Sequence, residues 1–107
     1  MTGIAEVAIA YWRLCKWLDE TDAEHKLPAE SALRKINRFL RAQGIEIVDV
    51  TGRPFDGGLS VEVVGGMPDE DGLDDRPLVV TRMVQPIVLQ NGELLSYGQI
   101  IVGRVET

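Results

Sequence analysis

A single cysteine, Cys15, among 107 residues excludes an intramolecular disulfide and a zinc site built on several thiolates. A single histidine, His25, leaves a metal site or a histidine-based triad without partners. No apolar run approaches the roughly 18 residues that a membrane span requires, and the start from Met1 to Glu6 lacks a basic leader region. Positive charge is also scarce. The formal net charge of -6 and a pI near 4.7 disfavour nucleic acid and anionic membranes, both of which are bound mainly through Lys and Arg. These absences describe a cytoplasmic chain in a reducing setting, whose partner offers a basic or neutral protein surface.

What is present suits a folded module. The composition, 45% hydrophobic and 26% charged, matches globular domains rather than disordered chains, and the length suits one small core. Ile4, Val7, Ala8, Tyr11, Leu14, Cys15 and Leu18 recur at steps of three and four, which predicts an amphipathic helix. Ala5, Ile9 and Trp12 widen its apolar stripe beyond what one flat neighbour needs, so the helix belongs in a bundle. Asp19 to Leu27 reads as a polar loop. Pro28 suits the first turn of a second helix that stops at Gly44, with Ala32, Leu33, Ile36, Phe39 and Leu40 as its buried stripe.

After Gly44 the period changes to the alternation of strands. Ile45, Ile47 and Val50 open this part, followed by strand candidates at 59–64, 78–84, 87–90 and 94–102, rich in Val and Ile. Asn91-Gly92 predicts a tight hairpin, because both central residues of a type I′ turn need positive φ. Pro86 confines its strand to an edge or a bulge. The fold class is therefore α+β: two N-terminal helices, then a small β-rich head of short strands. The division expected is 1–43 as a helical, dimerising region and 44–107 as the head.

No motif assembles an acid, a base and a nucleophile, so the chain reads as a binding protein, not an enzyme, with no cofactor and no metal. Asp69, Glu70, Asp71, Asp74 and Asp75 crowd one long loop, but neither Gly72 nor Val80 fits an EF-hand register from Asp69. The glycine pairs at 57–58 and 65–66 do not form a phosphate cradle between strand and helix. His25 reads as exposed, and Cys15 as a small hydrophobe on the helical stripe. Arg34, Arg38 and Arg41 recur at helical spacing, either as a solvated face or as a contact for an acidic partner. Trp12 and Trp17 lie on different sides of the first helix, which points to association. Ile4, Val7, Tyr11, Leu14 and Leu18 are the expected contacts of a homodimer, two helices from each chain forming a four-helix bundle.

Gly44-Ile45-Glu46-Ile47 running to Gly52-Arg53-Pro54-Phe55-Asp56, then Leu59 and Val63, an acidic loop, Asn91-Gly92, Leu95 and Ile100-Ile101-Val102, resembles the head of GrpE-type nucleotide exchange factors. The resemblance covers roughly the last 60 residues in detail and the helices by pattern. It implies a head of short strands carried on a helical bundle from two chains. It also implies a function: binding the nucleotide-binding domain of a DnaK-type, actin-fold chaperone ATPase and promoting ADP release. The expected contact is the hairpin surface at Asn91, Gly92, Glu93, Leu94, Ser96 and Tyr97. The sequence departs from the family at Gly57-Gly58 and Ser60, where Pro-Asn and a His are usual, and at Glu93 and Ser96, where basic residues are usual. The family's long paired N-terminal helix has no counterpart, which reads as truncation. These departures carry the alternative, a dimeric adaptor or assembly subunit that keeps the fold without exchange activity.

Overall fold

The computed structural model describes residues 3–21, 26–66 and 77–104. His25 and the acidic run at 69–75 lie outside them. The order is α1 (Ile4–Glu20), α2 (Leu27–Ala42), β1 (Ile45–Val48), β2 (Val61–Gly65), β3 (Leu78–Gln85), β4 (Ile87–Gln90), β5 (Glu93–Ser96) and β6 (Gly98–Arg104). The fold is α+β, with a helical pair preceding strands in two three-stranded sheets, ordered β1-β4-β5 and β2-β6-β3. Neither described helix is long and apolar enough to cross a membrane.

The chain packs as two compact units rather than around one core. The first comprises residues 1–47 and 88–96, and the second residues 48–87 and 97–107. Strand β1 and the hairpin, expected with the head, thus pack with the helices. A local pattern cannot show this, because it depends on contacts between segments some 40 residues apart.

In the first unit, Ala8 and Ile9 of α1, Leu40 of α2, Ile45 of β1 and Val88 of β4 form the core. Ile4, Ala5, Tyr11, Ile36 and Ile47 pack against it. Burying one such Leu, Ile or Val contributes roughly 1.5–3 kcal/mol. Leu27 opens α2 with Pro28 in its first turn, where a missing N–H costs nothing, and Gly44 follows its end at φ +77°.

In the second unit, Val50, Val80, Met83, Ile100 and Val102 are buried. Central β6 runs parallel to β2 and antiparallel to β3. The Gly52–Phe55 stretch lies along β3. Gly52 N–H donates to Val80 O at 2.7 Å, Val80 N–H to Arg53 O at 2.9 Å and Phe55 N–H to Leu78 O at 2.9 Å. Phe55 is half-buried, and Asp56 turns the chain by accepting Gly58 N–H at 2.9 Å. The Val50 N–H donates to the Met83 sulfur at 3.1 Å, which satisfies a buried backbone group.

Two strand expectations change. The run 94–102 is two strands in different sheets, β5 and β6, broken at Tyr97. Gly98 restarts it, because Met83 Cε, Ile87 Cγ1 and Gln85 O approach within 2.9, 3.0 and 3.2 Å of where a β-carbon would stand. Pro86 belongs to no strand; it is fully buried between β3 and β4, where the chain leaves one sheet for the other and its missing N–H is not needed.

Candidate protein-binding surfaces

The hairpin turn forms as its two residues require, with Asn91 at φ +51° and Gly92 at φ +85°. Leu89 pairs with Leu94 and Gln90 with Glu93 across it. The turn is tied to the end of α2. The Asn91 N–H donates to Gly44 O at 2.9 Å, and the Gln90 side-chain amide donates to Gln43 O at 3.0 Å. Strand β5 is therefore held by a fixed turn at one end and by β4 along one side.

Strand β5 is the outer strand of its sheet. Asn91, Gly92, Glu93 and Leu94 are exposed, while Ser96 is half-buried. Leu95, absent from the expected contact set, is exposed as well. Simple alternation would have hidden either Leu94 or Leu95; here neither face of the strand is fully covered, and both are in solvent. Tyr97 follows in the second unit, with 60% of its surface exposed.

The helical pair supplies a second surface. The stripe expected as one buried face of α1 is split. Leu18 is 7% exposed, and Ile4 and Tyr11 pack on the core, so these three expected dimer contacts serve the unit's own interior. Val7 and Leu14 are exposed, and with Ala10 and Trp17 they recur at steps of three and four along a separate seam. Trp17 is 57% exposed, whereas Trp12 is half-buried. On α2, Ala32 and Phe39 are exposed although the sequence pattern places them inside. Leu14, Trp17, Leu18, Ala29, Ala32, Leu33 and Ile36 line a shallow groove of about 100 Å³ with no polar wall.

Cys15 is half-buried beside Tyr11. The Tyr11 hydroxyl is pushed up from 10.0 to about 12, mainly by burial, then by its hydrogen bond to the Cys15 thiol and that group's charge, against an opposing pull from Arg41. Tyr11 is thus neutral across the physiological range. Among the described residues no polar or charged side chain is buried, and no three His, Cys, Asp or Glu side chains converge on a metal-sized space.

Searched against protein-family models the sequence matches none, and no curated protein matches it.

Proposed function

We propose that this chain is a GrpE-like protein that binds the nucleotide-binding domain of a DnaK-type ATPase and promotes ADP release. The observation that supports this reading is the anchored hairpin. Its outer strand presents Glu93, Leu94 and Leu95 to solvent, while Asn91 and Gln90 fix its turn to the backbone at Gln43 and Gly44. A contact element fixed before binding loses less conformational entropy when a partner docks. No chemistry by the chain's own side chains is invoked. Binding the open nucleotide cleft better than the closed one shifts the ATPase towards the open form, and ADP leaves.

In the same reading the protein works as a homodimer. The seam of Val7, Ala10, Leu14 and Trp17 and the exposed Ala32 and Phe39 supply the apolar face that two helical pairs bury against each other.

A titration of the ATPase with wild type and Glu93→Arg at two salt concentrations tests the hairpin. Glu93 is exposed, so its reversal leaves folding within about 0.5 kcal/mol of wild type while changing a charge at the contact. Equal affinities and equal salt dependence would remove the hairpin from the interface.

The second reading, a dimeric adaptor without exchange activity, draws on Glu93 and Ser96, which stand where the family usually carries basic residues. It keeps the dimer face and loses only the effect on ADP.

A further inference from the structure

Helix α2 carries charge opposite to the chain as a whole. Arg34, Lys35, Arg38 and Arg41 outnumber the single carboxylate of Glu30, giving the helix a net +3 in a chain of net -6. All four cations are exposed. At 100° per residue, Arg34, Arg38 and Arg41 share one side of α2, roughly opposite Ala32 and Phe39. A dimer closed over the apolar seam therefore leaves this ridge in solvent.

The ridge borders a trough between α1 and α2. One stretch, about 330 Å³, is lined by Lys26, Arg34 and Asn37 over a floor of Leu18 and Leu33, with Asp19 and Glu30 also on its wall. A second, about 490 Å³, is lined by Arg41, Trp12 and Ile47 over Leu40, with Glu46 on its wall. Tyr11, Cys15 and Asn37 belong to both, so the two stretches are continuous. Arg34 and Arg41 stand about two helical turns apart along its rim.

We propose that this ridge and trough dock an acidic, amphipathic segment of a partner protein. Carboxylates spaced by one and two helical turns would meet Arg34, Arg38 and Arg41, whose planar guanidinium groups bind carboxylates with two parallel hydrogen bonds. Interleaved apolar side chains would enter the trough above Leu18, Leu33 and Leu40. Nucleic acid fits less well: its phosphates continue far beyond a ridge of three arginines, into the field of a chain of net charge -6. The trough is lined by no hairpin residue, and the proposal does not depend on the exchange reading.

The test uses the full chain and a short labelled peptide with Glu at i, i+4 and i+7 and Leu between, followed by fluorescence anisotropy at low and high salt. A peptide with Gln for Glu and a short DNA duplex of matched charge are the comparison probes. Wild type should bind the Glu peptide, more weakly at high salt, and bind the Gln peptide and the duplex less well. R34Q/R38Q/R41Q should lose on the order of tenfold in affinity, the scale of a few exposed charge contacts. Arg53→Gln with Arg82→Gln, exposed cations of the second unit, should leave it unchanged. Thermal melts of each variant confirm folding. No binding of the Glu peptide, equal binding by R34Q/R38Q/R41Q, or tighter binding of the duplex would overturn the proposal. A change of sedimentation mass in R34Q/R38Q/R41Q would also overturn it, by assigning the ridge to contact between copies.

Discussion

Gly66, at φ +75° just after β2, tolerates no side chain, because a β-carbon there would fall on the backbone carbonyl of Val102. Gly66→Ala should destabilise the protein by about 2 kcal/mol or more, since both the strained φ and the collision with backbone must be relieved. At Gly44 the obstacle is the Asn91 side chain, which can swing away, so Gly44→Ala should cost only about 1 kcal/mol. Denaturant melts of the two variants check the order; Gly44→Ala as the costlier change would refute it. Tyr11 gives a pH dependence. Its hydroxyl is raised from 10.0 to about 12 in the fold, so the native state holds its proton more tightly than the unfolded chain. That contribution to stability is fully present below pH 10 and is lost as pH rises through about 12. Tyr11→Phe should show a shallower fall in melting temperature over this window. At this scale the sequence was legible where a residue's chemistry dictates its backbone, as at Asn91-Gly92. It was silent on Gly66, whose constraint comes from Val102, 36 positions away in the chain.

Helix α1 shows what periodicity can and cannot convey. Its start at Ile4 follows from the apolar recurrence, while its end at Glu20 runs two residues into the stretch read as a loop, because Asp19 and Glu20 add a solvent-facing turn that apolar spacing does not register. The same recurrence merges two faces, one packed on Leu40, Ile45 and Val88 and one presenting Val7, Leu14 and Trp17 to solvent. Hydrophobicity alone does not say which neighbour covers a face. The wide stripe and the two tryptophans on different sides were the available signal, and heptad spacing through 7, 10, 14 and 17 would have sharpened it. The double variant Leu14→Asp with Trp17→Asp should convert a dimer to a monomer in light scattering at high micromolar concentration. Its secondary structure should persist, because both side chains are already exposed. A monomeric wild type under the same conditions would remove the dimer from the account. Strands β5 and β6 illustrate the converse limit: one run read as a single strand serves two sheets, and the break falls at Tyr97-Gly98, where the glycine was the local signal.

At the scale of the whole molecule, the α+β class was readable from helical periods followed by alternation. The partition into units was not. It joins residues 1–47 to 88–96, through a core cluster that Val88 shares with Leu40 and Ile45, the pairing of β4 with β1 and the backbone bond from Asn91 to Gly44. This packing ties the hairpin to the end of α2 and makes it the feature on which the proposed function rests. The most direct measurement is release of labelled ADP from a DnaK-type chaperone ATPase, followed with no addition, with wild type and with Glu93→Arg, alongside thermal melts. The account predicts that wild type accelerates release and that Glu93→Arg alters that acceleration at an unchanged melting temperature. Release that is no faster with wild type than without it would contradict the account.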